Sequence, residues 1–558
     1  MLEDNTILSV SNLQVSFPGK EAFTAVKDIS FKINKGKTLA IVGESGSGKS
    51  LTALALMGLL PGAARSTGMM QLLANGGGIE LTDSNLQLIR GKEIGMVFQE
   101  PMSSLNPVMK IGKQLTEAIL VHQQITKAAA RQLAAGWLGK VQLPLPGEIY
   151  HRYPHQLSGG QRQRVMIAMA MCNHPALLIA DEPTTALDVT IQQEIIRLMH
   201  YLQQEYQSAM IFITHDLSLA ATIADDVLVM YKGEMVEYGQ ASQVLQHPRH
   251  KYTQALLACK PSPDKKGHRL HMVADFLDSV SAIEMPVSLV QQAPITSHSL
   301  LLDVQNLKVW FSGKKEMWGN SNNYFKAVDD VSFTIYKGEV YGLVGESGSG
   351  KSTLGRCIIG LLPPYSGKIN FEGEDLVKIP LSEWNRIRRS IQMIFQDPYS
   401  SLNPRMTIGD ILAEPLIVHR IVSASETRKE VLRLLDMVQL PASAADKYAH
   451  QFSGGQRQRI GIARALSLRP ELLICDECVS ALDVSIQVQI LNLLKDLQSQ
   501  LQLTYLFISH DLSVVHYISD RVMVMHKGKI VETGTAQEVL KTPQHTYTQQ
   551  LIAALSSH

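Results

Sequence analysis

Short apolar runs, each followed by a polar or glycine-rich segment, recur along this 558-residue chain. TLAIV (Thr38–Val42) and VYGLV (Val340–Val344) each precede the octamer GESGSGKS, and a longer apolar run follows each octamer. Short apolar runs bounded by glycine indicate buried strands, and the longer runs indicate helices. Both octamers are therefore predicted to lie where a buried strand turns into a helix.

The second half of the chain repeats the first as a whole domain and not as a short solenoid unit. The Ser-to-Glu interval is 24 positions and the Glu-to-His interval 33 positions in both halves, whereas the Lys-to-Gln interval is 50 against 45. The matched residues are Lys49 and Lys351, Gln99 and Gln396, Ser158 and Ser453, Glu182 and Glu477, and His215 and His510. We expect the extra residues of the first half, near ANGGG, to form a surface hairpin.

Residues 260–299 separate the repeats. They contain KPSPDKKGHR and MPVSLVQQAPITSHS, which are rich in Pro, Ser and charge and lack sustained helical periodicity. We interpret this segment as a linker between a first domain, residues 1–259, and a second, residues 300–558. One piece of it, VADFLDSVSAIEM, is able to pack on a domain.

Composition is that of a soluble globular protein, with 45% hydrophobic and 18% charged residues. A net charge of +1 gives no reason to expect nucleic acid as a partner. The run LTALALMGLLPGAA is broken by Pro and Gly and is shorter than the roughly 20 residues that a membrane crossing needs. The acidic start MLEDNTILSVSNLQVSF does not match a signal peptide, so we expect a cytosolic protein.

The octamers carry the GxxxxGK[ST] pattern. A glycine-rich turn at a helix N-terminus presents backbone N–H groups to phosphate, its lysine reaches the terminal phosphates and its last serine ligates Mg²⁺. A Gly/Ser surface turn is the alternative, but the pattern occurs twice in a strand–loop–helix context. We therefore predict ATP and Mg²⁺ as cofactors. The binding residues are Gly43, Glu44, Ser45, Gly46, Ser47, Gly48, Lys49 and Ser50, and Gly345, Glu346, Ser347, Gly348, Ser349, Gly350, Lys351 and Ser352.

An acidic pair follows another predicted strand in each half, in ALLIADEP and ELLICDEC. Asp181 and Asp476 would hold the Mg²⁺ shell. The adjacent Glu182 and Glu477 would polarise the attacking water, a role that contributes about 10² to 10⁴ in rate. A solvated turn at the strand end is the alternative for an isolated acidic pair.

His215 and His510 come just after a third predicted strand, in IFITHDLS and LFISHDLS. A histidine there would contact the γ-phosphate or orient the catalytic glutamate. A lone histidine more often packs or caps, but the matched spacing of the two copies favours the catalytic role.

LSGGQRQRV at Leu157 and FSGGQRQRI at Phe452 resemble the signature of ABC-transporter ATPases, and both halves are similar to that family outside the linker. The resemblance implies an α/β fold of two tandem P-loop NTPase domains of ABC type. Each would have a mainly parallel sheet core, an antiparallel β part and a helical subdomain. Ser158 and Ser453 are suited to cap helices.

In this family the signature of one domain faces the phosphate loop of the other. The resemblance therefore adds nucleotide-binding residues to both halves. They are Ser158, Gly159, Gly160, Gln161, Ser453, Gly454, Gly455 and Gln456. Phe17 and Phe311 occupy positions suited to stacking on adenine, with Phe23 or Tyr324 as alternatives.

Gln99 and Gln396, in MVFQEPMSSLNP and MIFQDPYSSLNP, resemble the Q-loop residues of the family, which touch Mg²⁺ or the attacking water. The catalytic residues implied are Glu182, Glu477, His215, His510, Gln99 and Gln396. The metal ligands implied are Ser50, Gln99, Asp181, Ser352, Gln396 and Asp476.

SSLNP, together with HPRHKYTQALL and TPQHTYTQQLI, resembles the peptide, dipeptide and nickel importer branch, and the fused halves are most like the microcin-C/peptide and glutathione importers. The resemblance implies an ATPase that energises import of peptides or peptide-like compounds through two transmembrane permease subunits. A periplasmic or extracellular binding protein would feed them, and this chain would be peripheral on the cytoplasmic side of the inner membrane. The alternative is a soluble two-domain ABC ATPase acting on ribosomes or nucleic acid.

Three departures from the family pattern stand out. Phe452 replaces the usual leucine before the second signature, and Cys478 replaces the proline after Glu477, which we expect to loosen that turn. Cys259 is the only cysteine in the stretch directly after the first HPxHxYT segment, and no cysteine follows Tyr547 in the second. We therefore expect no iron–sulfur cluster. Cys475 and Cys478 form a CxxC pair, for which a redox or metal role is the less favoured interpretation.

Overall fold

The computed structural model describes most of the chain. The described residues are 5–19, 22–74, 77–100, 104–184, 189–259, 266, 268–278, 299–312, 324–380, 382–397, 401–480 and 482–556. They divide into two compact units, one within Met1–Ala258 and Val273–Ala282, the other within Cys259–Met272 and Ile283–Ser557. Most of the predicted linker lies outside the described residues, so the domain boundaries stay a prediction.

The described part of the first unit contains two sheets. Its strands are β1 (Thr6–Phe17), β2 (Phe23–Asn34), β3 (Thr38–Val42), β4 (Arg65–Ala74), β5 (Gly77–Glu80), β6 (Ile94–Val97), β7 (Leu177–Asp181), β8 (Ala209–Thr214), β9 (Asp226–Tyr231) and β10 (Glu234–Gln240). The core sheet has the order β10-β9-β3-β8-β7-β6 and is parallel except at β9–β10. A separate antiparallel sheet has the order β2-β1-β4-β5.

The second unit repeats this arrangement. Its strands are β11 (Leu300–Ser312), β12 (Tyr324–Tyr336), β13 (Val340–Val344), β14 (Ser366–Phe371), β15 (Glu374–Asp375), β16 (Ile391–Ile394), β17 (Leu472–Asp476), β18 (Thr504–Ser509), β19 (Arg521–His526) and β20 (Lys529–Thr535). The orders are β16-β17-β18-β13-β19-β20 and β12-β11-β14-β15. The β4–β5 pair of the first unit is longer than β14–β15, and the extra residues predicted as a hairpin lie there.

Helices cover the core sheets. Those of the first unit are Lys49–Met57, Asp83–Ile89, Ile111–Leu120, Lys127–Lys140, Pro146–Ile149, Gly159–Met171, Val189–Tyr206, Leu217–Ile223, Ala241–Gln246, Lys251–Ala258 and Val273–Asp278. Those of the second are Lys351–Ile358, Trp384–Ser390, Ile408–Val418, Thr427–Met437, Gly454–Leu466, Val484–Leu501, Leu512–Ile518, Ala536–Lys541 and Thr546–Ser556. Among the helices in the described ranges, none combines the length and the apolar character needed to cross a bilayer.

The central parallel strands of each core sheet are buried along their whole length: β3, β7 and β8 in the first unit, and β13, β17 and β18 in the second. Successive strand residues point to opposite faces, so neighbours on one strand join different cores. Ile179 packs with Leu8 and Leu56 beneath the antiparallel sheet, whereas Ala180 packs with Trp137 and Phe212 on the helical side. Strands covered on both faces admit apolar residues throughout, so polar side chains are left to the strand ends.

Part of the predicted linker contacts the second unit. The amide of Asn492 pairs with the backbone of Leu270 in both directions, at 3.2 and 2.8 Å, and Arg269 lies 3.1 Å from Asp496. Tyr517 donates its hydroxyl to the carbonyl of His268 at 3.0 Å. Residues 268–270 therefore belong structurally to the second unit.

Candidate active site

Four parallel strands of each core sheet end at the same edge. In the first unit β6, β3, β7 and β8 are followed there by Gln99, the octamer, Glu182 and His215. The second unit places its octamer and matched residues in the same way. Ligands of open α/β sheets bind at the carboxyl ends of the strands. Residues that are far apart in the sequence are thus gathered at one place in each unit.

The octamer loop depends on glycine at two positions. Gly43 has a φ of 151°, and a Cβ there would lie 2.2 Å from the carbonyl oxygen of Met230 on β9. Gly48, with a φ of 103°, caps the helix that begins at Lys49. A side chain would strain both positions, and glycine adopts them freely. The loop therefore lies against β9, and its backbone N–H groups lie at the start of the helix.

Lys49 lies on the inner side of this loop and is 5% exposed. Its Nζ donates to the carbonyl oxygens of Gly43 at 2.8 Å and Glu44 at 2.9 Å. Lys351 makes the same two hydrogen bonds in the second unit, at 2.7 and 2.8 Å. The ammonium group is therefore held within reach of phosphates bound to the loop.

A serine and an aspartate meet beside each lysine. Ser50 Oγ donates to Asp181 Oδ1 at 2.9 Å, and Ser352 Oγ donates to Asp476 Oδ1 at 2.8 Å. Burial raises the pKa of both aspartates above the ordinary value, although the serine hydrogen bond acts in the opposite direction. Asp476 Oδ2 is buried without a hydrogen-bond partner among the described residues. Oxygen donors of this kind suit Mg²⁺, and a cation would stabilise the ionised carboxylates that burial disfavours.

Each predicted catalytic glutamate contacts a glutamine and a histidine. Glu182 Oε2 accepts a hydrogen bond from Gln99 Nε2 at 3.1 Å and lies 3.4 Å from Nδ1 of His215. The corresponding distances around Glu477 are 2.7 and 3.4 Å. The structure therefore brings the three predicted residues together in both units.

Both glutamates have left-handed backbone conformations. The φ angles are 44° at Glu182 and 47° at Glu477, a region that costs a non-glycine residue on the order of 1–3 kcal/mol. Their N–H groups donate to the carbonyls of Ile213 and Ile508, at 3.0 and 2.9 Å. The hydrogen bond to the neighbouring strand offsets part of this strain. In the second unit the carboxylate of Glu477 lies 4.0 Å from Nζ of Lys351.

Glu477 and His510 shift each other's pKa. Burial acts to raise the pKa of Glu477, but the hydrogen bond and charge of His510, with the charge of Lys351, lower it below its ordinary value. Burial acts to lower the pKa of His510, but its hydrogen bond with Glu477 and the charge of that carboxylate raise it. The site therefore favours the ionised carboxylate, which is the form that a general base requires.

The turn that contains Cys478 is closed by a neighbouring serine. Ser480 donates to the carbonyl oxygen of Glu477 from its N–H at 3.2 Å and from its hydroxyl at 2.9 Å. These bonds restrain the turn where the family pattern has proline. A hydrogen bond with Cys478 and burial raise the pKa of the Cys475 thiol well above its ordinary value, so the thiol stays protonated and the structure gives no support to a redox role.

The signature serines cap their helices as predicted. Ser158 Oγ accepts from the N–H of Gln161 at 3.3 Å, and Gln161 Oε1 accepts from the N–H of Ser158 at 3.1 Å. Ser453 and Gln456 form the same capping box, at 3.4 and 3.1 Å. The N–H groups of the two glycines between them lie in the first helical turn and have no intrahelical partner, as an anion site requires.

The aromatic residues proposed to stack on adenine lie at the ends of the β1–β2 and β11–β12 ladders. Phe17 pairs with Phe23, which is 61% exposed, and Phe311 is 41% exposed. Tyr324 instead lies beside Trp310, with 5.9 Å between ring centroids. The geometry leaves the choice between Phe17 and Phe23 open, and the assignment of Phe311 stays a prediction.

Two further residues touch the octamer loops and were not singled out from the sequence. Tyr252 Oη accepts a hydrogen bond from the N–H of Glu44, and Tyr547 Oη accepts one from the N–H of Glu346, both at 3.1 Å. The tyrosines lie in the HPRHKYT and TPQHTYT segments, which carry part of the family resemblance. Their matched positions in the two repeats were the available signal.

Family comparisons agree with this geometry. The family model described as ABC transporter matches residues 26–185 and 328–480. A second model, described as oligopeptide/dipeptide transporter, C-terminal region, matches residues 236–284 and 531–558. The chain therefore belongs to the ABC transporter family, and it is an ATP-binding protein with ATPase activity that carries two such domains.

Curated relatives match over nearly the whole chain. The glutathione import ATP-binding protein GsiA of Escherichia coli strain K12 is 46% identical over 564 residues, which is 99% of this chain and 90% of the relative. The protein of the same name from Pectobacterium atrosepticum is 45% identical over 564 residues, which is 100% of this chain and 90% of the relative. The C-terminal-region model, which matches both halves, places the chain in the oligopeptide/dipeptide branch of the ABC transporters, and these relatives agree with that placement.

The contact between Glu477 and His510 predicts a specific titration. In Glu477→Gln the burial that lowers the histidine pKa remains while the carboxylate that raises it is lost, so the pKa of His510 falls. NMR titration of ¹³C-labelled histidine, with His510→Gln to assign the signal, measures this. Glu430→Gln, which removes a carboxylate that contacts Arg433 and Arg469, should leave the titration unchanged. An unchanged His510 titration in Glu477→Gln would show that the two groups are not coupled.

Proposed function

We propose that this protein hydrolyses ATP at two sites and thereby energises the import of small peptides, glutathione among them, through two transmembrane permease subunits. A substrate-binding protein delivers the substrate to the permeases from outside. The chain is peripheral on the cytoplasmic side of the membrane. The observation that carries the proposal is that both units gather a phosphate-loop lysine, a serine–aspartate pair and a Glu–Gln–His trio at one sheet edge.

ATP would bind with its phosphates on the N–H groups of residues 43–50 and 345–352. The charge of Lys49 and Lys351 and the helix N-termini behind the loops favour the anionic phosphates. Ser50 with Asp181, and Ser352 with Asp476, would hold Mg²⁺, assisted by Gln99 and Gln396. The ion, when bound, neutralises the charge that develops on the phosphates during transfer.

Hydrolysis requires a water aligned with the γ-phosphate. Glu182 and Glu477 accept a proton from this water as it attacks, and the products are ADP and phosphate. Gln99 and His215 both contact Oε2 of Glu182, and Gln396 and His510 both contact Oε2 of Glu477. Fixing the base in this way supplies orientation, a large part of the rate enhancement in such reactions.

Each site would be completed by the signature of the other half. Lys49 and Glu182 would work with residues 453–456, and Lys351 and Glu477 with residues 158–161. The capping boxes at Ser158 and Ser453 support this role, because they fix the start of each signature helix, where the first N–H groups have no intrahelical partner. Fusing the two halves in one chain would raise their effective concentration to roughly the millimolar range.

The permease partner would contact the helical part that follows Gln99. A groove of about 910 Å³ opens there in the first unit, with Met109, Lys110, Leu120 and Tyr150 among its lining residues. Val108 beside it is 83% exposed. An apolar groove with basic groups at its edge suits a short amphipathic helix of a membrane partner.

Peptide transport is favoured over the ribosomal or nucleic-acid alternative. The oligopeptide/dipeptide C-terminal model matches both halves, and the relatives are named for glutathione import. No observation on the described residues favours nucleic acid. Uptake of labelled glutathione and of a labelled dipeptide by a deletion strain, with and without the gene, tests the substrate class. If deletion of the gene reduces neither glutathione uptake nor dipeptide uptake, small peptides are excluded as substrates.

If both sites hydrolyse ATP, each of the two proposed catalytic glutamates should be needed for full turnover. Glu182→Gln and Glu477→Gln should each keep ATP affinity within about twofold, because the phosphate loop is untouched, and each should lower turnover strongly, by more than half if the sites are coupled. ATPase rates of the assembled transporter measure this, and Glu205→Gln, a surface change beside Lys140, is the control. Near-normal turnover in either variant would mean that its site is not catalytic.

The groove gives a prediction on coupling. Lys110→Glu, or other changes of charge or bulk along Glu100–Gly112 and Asp397–Gly409, should leave ATP binding intact and uncouple hydrolysis from transport, since these residues follow the Q-loop glutamines. Transport per ATP hydrolysed, measured in proteoliposomes with the permeases, is expected to fall. Lys35→Glu, on an exposed residue outside the groove, is the matched control. A variant that assembles but no longer binds ATP would contradict the assignment.

A further inference from the structure

In each unit, a tyrosine from the C-terminal part of that unit forms a hydrogen bond with the backbone of the phosphate loop. Tyr252 is fully buried and Tyr547 is 8% exposed. Their hydroxyls accept the N–H of Glu44 and Glu346, the second residue of each octamer, across 208 and 201 positions of sequence. The region matched by the oligopeptide/dipeptide family model therefore reaches the nucleotide site of its own unit.

The hydroxyl and the loop lysine hold opposite ends of one peptide group. In the peptide that joins Gly43 to Glu44, the carbonyl accepts from Lys49 Nζ at 2.8 Å and the N–H donates to Tyr252 at 3.1 Å. In the second unit the equivalent bonds measure 2.7 and 3.1 Å. The plane of this peptide sets the direction in which the following loop residues turn, so both contacts orient the loop.

The tyrosines are themselves firmly placed. The ring of Tyr252 lies 4.2 Å from that of Tyr231, and its N–H donates to His250 Nδ1 at 3.1 Å. Glu237 on β10 accepts from the N–H groups of Arg249 and His250, at 2.8 and 3.2 Å.

The second unit repeats every one of these contacts. Tyr547 lies 3.9 Å from the ring of His526 and donates its N–H to His545 at 3.1 Å. Glu532 accepts from the N–H groups of Gln544 and His545, at 2.8 and 3.1 Å. The same anchor in both copies indicates a shared role and not an accident of packing.

We propose that Tyr252 and Tyr547 are positioning residues of the two nucleotide sites. Each keeps the first peptide of its phosphate loop in the orientation that binds phosphate. The lysine also donates to that peptide, but its ammonium has three donors, and phosphate competes for them. The tyrosine hydroxyl accepts the N–H at the other end of the same peptide, so the peptide keeps this hydrogen bond when the lysine turns to the nucleotide. This inference rests on the proposed assignment of the octamers as phosphate loops.

Removing only the hydroxyls tests the proposal. Tyr252→Phe, Tyr547→Phe and the double variant keep the buried rings. In the full-length protein with Mg²⁺, we expect the Kd for ATP to rise about three- to tenfold at the altered site, the effect of one lost hydrogen bond. In the assembled transporter the KM for ATP should rise by a similar factor while kcat stays within about twofold. If the hydroxyls had a purely structural role, their loss would lower Tm without raising the KM for ATP relative to kcat.

A second buried tyrosine provides the matched control. Tyr505 donates its hydroxyl to the carbonyl of Leu494 at 2.9 Å, and within the described part of the chain that hydroxyl makes no hydrogen bond to the loop. Tyr505→Phe should lower Tm and leave the Kd for ATP unchanged. An unchanged Kd in both loop variants, or an equal rise in Tyr505→Phe, would overturn the proposal. If one of the two variants, Tyr252→Phe or Tyr547→Phe, does not fold, the variant in the other unit tests the proposal.

The experiment also separates this inference from the proposed function. Wild-type protein that fails to bind ATP would refute the assignment of the phosphate loops. Wild-type protein that binds ATP, beside tyrosine variants that bind it equally well, would refute only the role of the tyrosines.

Discussion

The shared edge of the parallel strands is the constraint on which the rest of the structure depends. Because β3, β7 and β8 are covered on both faces, their interiors admit only apolar residues, and the chain can change to polar chemistry only where each strand ends. Parallel direction brings those ends together. The loop of Lys49, the carboxylates of Asp181 and Glu182 and the histidine after Thr214 meet for this reason, and the second unit has the same geometry.

Gathering charge at a largely buried edge carries a cost that the hydrogen bonds must offset. Lys49 is satisfied by two loop carbonyls, Asp181 by Ser50, and Glu182 by Gln99. Burial still raises the pKa of Asp181. A site of this kind is prepared for a ligand that brings both negative phosphates and a cation, because each would replace contacts that the protein now makes with itself.

The two units keep the same chemistry with different local supports. Where the first has Pro183 after Glu182, the second has Cys478 after Glu477, and Ser480 closes the turn there by two hydrogen bonds. The C-terminal anchors differ in their ring partners, Tyr231 in one and His526 in the other, yet both present a hydroxyl to the loop. Duplication has preserved the contacts at the reacting groups and allowed the residues behind them to vary.

Local patterns in the sequence were enough to predict the strands, the strand–loop–helix context of the octamers and the helix caps at Ser158 and Ser453, because each depends on residues within a few positions of one another. The matched spacing of the repeated motifs predicted two domains of the same kind. Only the tertiary structure decided the left-handed turn at Glu182, the bond from Glu44 to Tyr252 and the docking of Leu270 on Asn492. These contacts join segments up to 222 positions apart. Their geometry is set by how sheets and helices pack, which no local pattern of residues specifies.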